Sequence, residues 1–165
     1  MGVRLSVCAM PLEGERKPSV LLADVPYIVD EVHVSSDGRW VAFNSDESGR
    51  WEVYVATFPE FTSKRQLSIA GGVEPQWRGD GRELFYLGLD GSMMAVALET
   101  TPAFRASAPR RLFATNVAPH PMEPQYAVTH DGKRFLALQR EPGSTRFVYL
   151  LNWLSPDRSM GVSGQ

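Results

Sequence analysis

Cysteine is nearly absent: Cys8 is the only one among 165 residues. A lone thiol closes no internal disulfide and leaves no second thiolate for a zinc site. An excess of charge is missing too, since 17 basic face 19 acidic residues and the signs are interspersed. That balance offers nothing to a polyanion, and no nucleic-acid partner is expected. The densest basic group, Arg105, Arg110 and Arg111, reads as a solvated edge. No apolar run approaches the 18 residues of a membrane span, the longest candidate being residues 147–151, so no membrane insertion is expected. The N-terminus lacks the basic start, apolar middle and small-residue cleavage site of a signal peptide. The expectation is a cytoplasmic chain, or one whose targeting segment lies outside this sequence.

Catalytic signatures are equally scarce. The Gly-x-Ser-x-Gly turn that holds a hydrolase serine on a strained strand-to-helix elbow does not occur, and Gly161-Val162-Ser163-Gly164 misses it by register. The phosphate-cradling glycine loops are missing. His33, His120 and His130 are the only histidines, at spacings that match no metal-binding element. No catalytic, cofactor-binding or metal-binding residue is therefore assigned, and the chain is read as not an enzyme. What the sequence does have is 43% apolar and 22% charged residues, the balance of a globular protein.

It also has a repeat. Asp37-Gly38-Arg39-Trp40-Val41-Ala42-Phe43, Asp80-Gly81-Arg82-Glu83-Leu84-Phe85-Tyr86 and Asp131-Gly132-Lys133-Arg134-Phe135-Leu136-Ala137 share one pattern, spaced by 43 and then 51 residues. A period of about 40 to 50 residues is that of a β-propeller blade. Asp-Gly between two hydrophobic runs signals a hairpin, because glycine enters positive φ without a clash and aspartate bonds its own backbone. Asp37, Gly38, Asp80, Gly81, Asp131 and Gly132 are thus structural turn residues rather than ligands, and Arg78-Gly79-Asp80 is part of a turn rather than an adhesion signal.

Each phrase is followed by a short turn-rich loop and a further apolar strand, then by an outer strand at residues 65–69 and 110–114. Four meandering strands make a blade. Residues 5–11 match 53–59 at an offset of 48, so the chain opens on the last two strands of a blade. The expected architecture is all-β, a partial propeller of about three blades over residues 1–154. It divides into a partial blade 3–23, blades 31–72 and 73–115, and a partial blade 122–154, with a flexible tail at 155–165. The count is 13 strands. Two copies would make a six-bladed ring by homodimerisation, and the missing blades of a larger chain would serve as well. The strand aromatics Trp40, Trp51, Trp77, Tyr54, Tyr86 and Tyr126 are read as packing between blades.

The turn Ser35-Ser36-Asp37-Gly38-Arg39 before Trp40-Val41-Ala42-Phe43 resembles the TolB-like propellers built from WD40-like PD40 repeats. More closely, the chain looks like the C-terminal propeller part of large bacterial proteins in which such repeats follow a kinase or a DNA-binding regulator. Residues 45–50, Glu52-Val53-Tyr54-Val55, Gly71-Gly72 with Pro75-Gln76-Trp77, residues 81–86 and Asn152-Trp153 carry that likeness. Ser36, Gly79 and His130 stand where the family pattern has proline before Asp-Gly. The resemblance implies a ligand- or protein-binding platform, and an extracytoplasmic, periplasmic location. No kinase or DNA-binding segment is present to carry those activities over. The expected function is a non-catalytic binding or scaffold module recognising a protein, peptide or small ligand at the propeller mouth, with Glu31, Glu74 and Glu123 as mouth-lining residues and no cofactor. The alternative is a propeller of the kind that accompanies prolyl-oligopeptidase-type α/β-hydrolases.

Overall fold

The computed structural model describes the backbone of residues 6–141 and 144–151, and side chains as far as residue 138. Every described element is a strand, and every pairing is antiparallel. The first sheet holds β1 (Val7–Ala9) and β2 (Ser19–Leu22). The second runs β3 (Val29–Val34), β4 (Trp40–Ser45), β5 (Glu52–Thr57) and β6 (Arg65–Gln66). The third has β7 (Val73–Trp77), β8 (Glu83–Leu87) and β9 (Ser92–Glu99), with β10 (Arg105–Ala106) and β11 (Arg110–Ala114) both paired to β9. The fourth is β12 (Tyr126–Val128), β13 (Arg134–Glu141) and β14 (Ser144–Leu151). Asn152, Trp153 and the expected tail lie outside the described residues.

The described strands number 14 rather than 13, because the outer strand of the third sheet is divided. Pro109 has no N–H to give to a ladder. Just before it Ser107 turns aside, its amide donating to the Ala97 carbonyl and its hydroxyl accepting from the Ala97 amide. In the second sheet the outer strand ends at Gln66 instead of residue 69. There the Ser68 hydroxyl takes the Val53 amide at 2.7 Å, displacing a backbone acceptor.

Strand alternation decides which face of each sheet meets which neighbour. On the repeat period Val41, Leu84 and Phe135 are equivalent, and all three are at most 1% exposed. Leu84 and Tyr86 pack back against Ala42, Val53 and Val55 of the second sheet. Phe85, Leu87 and Ala95 pack forward against Tyr126, Phe135 and Ala137 of the fourth. Val7 and Leu22 cover Val41, Phe43 and Tyr54. The cores are therefore the seams between sheets, each buried large side chain contributing about 1.5–3 kcal/mol. Phe85 and Phe135 meet edge to face at 5.1 Å. Trp40 lies 4.5 Å from Phe104, while Trp51 and Trp77 flank two of the seams.

Candidate functional site

The first strands of successive sheets converge, β7 packing against β3 and β4 on one side and β12 on the other. These strands line the axial side of the arc, and both β3 and β7 are broken by a bulge, between Asp30 and His33 and between Val73 and Gln76. A glutamate sits at each bulge in left-handed backbone, Glu31 at φ 50° and Glu74 at φ 58°. A non-glycine residue there costs roughly 1–2 kcal/mol, so the surrounding contacts must impose it.

Those contacts are visible. The Glu31 amide donates to Asp30 Oδ1 at 2.7 Å, and Glu31 Oε2 stands 3.2 Å from His33 Nε2. The His33 carbonyl accepts from Trp77 Nε1 at 2.9 Å, which ties β3 to β7. The Glu74 amide donates to Asn44 Oδ1, and Asn44 Nδ2 reaches the Pro121 carbonyl at 3.0 Å. The Gln125 amide donates to Glu74 Oε2 at 2.5 Å, and the Tyr126 hydroxyl to the Glu74 carbonyl at 2.8 Å. Gln76 donates to the Tyr126 carbonyl and accepts from the Val128 amide, holding β12 in place.

Among the described residues three carboxylates are buried, Glu74 at this surface and Glu52 and Glu83 elsewhere, and they differ in how they are satisfied. Glu52 receives Arg50 Nε, the Ser68 hydroxyl and the Gly71 amide. Glu83 is held by Arg78 and Arg110. Glu74 is 1% exposed and, among the described residues, has no cation beside it and leaves Oε1 without a hydrogen-bond partner. Burial therefore pushes its carboxyl up to about 7, and the nearby Glu31 charge pushes the same way. The amides of Gln125, His120 and Tyr126 oppose them. The same burial raises the Tyr126 hydroxyl well above its usual range.

Glu123 stands apart from this group, exposed in the segment before β12. On the repeat period the position equivalent to Glu31 and Glu74 is Gln125, itself buried and bonded to Glu74. Counting back from Asp131 by the spacing of the other two units would have found it.

The turn aspartates serve their own loops. Asp37, Asp80 and Asp131 each accept the amide two residues on, at 3.0 to 3.1 Å. Ser35 and Thr129 hydroxyls bond Asp37 and Asp131, and in the third sheet Arg78 takes that place with two 2.7 Å bonds to Asp80. The Arg78 bonds hold Asp80 down to about 2. Among the described residues no three His, Cys, Asp or Glu side chains gather as a metal cage.

This geometry is that of a β-propeller arc. No protein-family model matches the chain, and no curated protein does. Solved structures do share the fold. An oligogalacturonate lyase from Vibrio parahaemolyticus superposes at a TM-score of 0.56 and 14% identity, over 82% of this chain and 36% of its own. A candidate 6-phosphogluconolactonase from Bacteroides uniformis does so at 0.56 and 16%, over 87% and 43%. TolB from Acinetobacter baumannii aligns at 0.40 and 13%, over 89% and 46%. The chain thus spans less than half the length of each.

The reading of the chain as not an enzyme is corrected by this comparison. Two of these structures are named for a lyase and a lactonase activity. Missing short motifs excluded only chemistries that announce themselves locally, whereas a propeller assembles a site from residues far apart in sequence. At such low identity the likeness extends to the fold, and it assigns neither activity to this chain.

Proposed function

We propose that this chain is a propeller segment that recognises a ligand at its axial mouth, through a polar surface built on Glu31, His33 and Glu74. The ligand would present a cationic group, an ammonium or guanidinium of a protein, peptide or small molecule. One observation carries this reading: Glu74 keeps a carboxylate oxygen unpartnered although the side chain is 1% exposed. Buried carboxylates are ordinarily satisfied, as Glu52 and Glu83 are, and the exceptions mark strain or function. Glu31, set in matching left-handed backbone one sheet away, adds a second acid within electrostatic reach. A cation entering between them would relieve the repulsion and pair the free oxygen.

Nuclear magnetic resonance titration with N-acetyl-arginine amide tests the reading, with an N-acetyl-glutamate diamide control. Shifts should concentrate on the amides of residues 31–33 and 74–76. Substituting Glu31→Gln or Glu74→Gln should weaken binding at least tenfold. No saturable shifts at these residues, or equal response to the control, would overturn it.

A further inference from the structure

Between the second and third sheets, at the end that carries the Asp-Gly-basic turns, lies a cleft of about 800 Å³. β3 and β7 enter those turns away from the bulges that carry Glu31 and Glu74, so the cleft is separate from the axial surface. Both flanking sheets are complete, with four and five strands, and the cleft belongs to an interior seam whatever extends the arc at either end. Its wall is fixed. The loop after β9 reaches across the seam, where Phe104 lies 4.5 Å from Trp40 and the Arg65 guanidinium stands 5.6 Å over the Phe104 ring. Arg39 spans the same gap, donating from Nε to Asp37 at 2.9 Å and from Nη2 to the Thr101 hydroxyl at 3.1 Å.

The repeat separates the charges that are paired from those that are not. Arg39 and Arg82 are equivalent on the 43-residue spacing, and the amide of each donates to its turn aspartate. Arg39 also gives its guanidinium to that aspartate. Arg82 does not, because Arg78 already takes both oxygens of Asp80 with two 2.7 Å bonds. The Arg82 guanidinium therefore borders the cleft without a hydrogen-bond or ion-pair partner among the described residues. Arg105 borders it from β10, equally unpaired, although Glu99 stands opposite it in the ladder. Arg110, grouped with Arg105 by sequence, goes instead to Glu83.

Asp37 and Asp80 also line the cleft, but each already carries a cation. Two guanidiniums thus remain against one unpaired acid, Glu99, beside the hydroxyls of Thr101 and Ser107. A planar guanidinium matches the geometry of a carboxylate or a phosphoryl group, and the volume is that of a small-molecule site. We propose that this cleft binds a small hydroxylated molecule through one oxyanion group, a carboxylate or a phosphoryl group, engaged by Arg82 and Arg105. Glu99 and the two hydroxyls then serve the hydroxyl groups of the ligand. This inference is independent of the cationic ligand proposed for the axial surface.

Nuclear magnetic resonance titration with glycerol phosphate, with glycerate and with glycerol separates the two sources of the oxyanion. Saturable shifts at the amides of residues 82, 97–101 and 105–107 are expected with at least one charged probe, and the tighter of the two identifies the group. Glycerol should leave these amides unmoved. Arg82 and Arg105 are exposed, so their replacement leaves the seams intact. Arg82→Gln and Arg105→Gln should each weaken binding about tenfold, since hydrogen bonds between charged partners are the strong ones. Arg111→Gln, on β11 and outside the cleft lining, should bind as wild type does. Shifts that never saturate, or an equal response to glycerol, would overturn the proposal. Unchanged binding in either cleft variant, or an equal loss in Arg111→Gln, would overturn it as well.

Discussion

Glu74 concentrates the physics of the axial surface in one side chain. Its carboxyl titrates near 4.5 in the unfolded chain and near 7 in the folded one. Below pH 4.5 both states are protonated and the burial costs nothing. As pH rises toward 7 the unfolded state sheds its proton first, so stability falls. Above 7 the loss is complete, at about 3 kcal/mol. Glu74→Gln should flatten this dependence, leaving the variant more stable than wild type at pH 8 and nearly equal at pH 4.5. Urea melts across that range provide the check, and an unchanged slope in the variant would remove Glu74 as the source.

At the scale of elements, the three Asp-Gly-basic turns of the repeat share a backbone and differ in surroundings. Gly38 and Gly132 have φ of 69° and 70°, where any Cβ costs about 1 kcal/mol. A Cβ at Gly38 meets nothing within 4 Å, while at Gly132 it falls 2.7 Å from Arg78 Cδ and 3.1 Å from Phe85 Cζ. Gly38→Ala should therefore cost about 1 kcal/mol, and Gly132→Ala clearly more, since the latter also wedges the third and fourth sheets apart. Comparing urea midpoints of the two variants reads the difference, and equal losses would mean that the turns do not pack across the seam. The turn itself was legible in three residues, because φ and a local hydrogen bond decide it. That Arg78 replaces the Ser35 or Thr129 hydroxyl was not, because it requires knowing where the guanidinium reaches.

For the whole molecule, stability lies in the seams rather than within any sheet. Phe135 touches Phe85, Phe113 and Tyr126, and its truncation to alanine should cost about 3–5 kcal/mol. The loss should be uneven. A repeat array couples each unit chiefly to its neighbours, so amide exchange in Phe135→Ala should quicken in β12 and β13 while β3 to β5 keep their protection. Uniform acceleration throughout would show that the arc unfolds as one unit.

How much of this could be read in the residues depends on distance along the chain. The repeat, the hairpins and the all-β propeller arc rest on neighbours a few positions apart and on a period, which local sterics and strand alternation translate directly. The outer strand of the second sheet was read too long because a side chain, that of Ser68, replaces a backbone partner, and the outer strand at 110–114 was read correctly while the short β10 before Pro109 was missed. The axial group depended on still longer reach. Glu74 could be picked as an acid near the start of a strand, yet its surroundings come from Asn44 on β4 and from Pro121 and Gln125 in the segment before β12. Its raised pKa, its free oxygen and its nearness to Glu31 exist only once those segments meet. Desolvation and charge coupling are properties of a place in space, and only the packed sheets create that place.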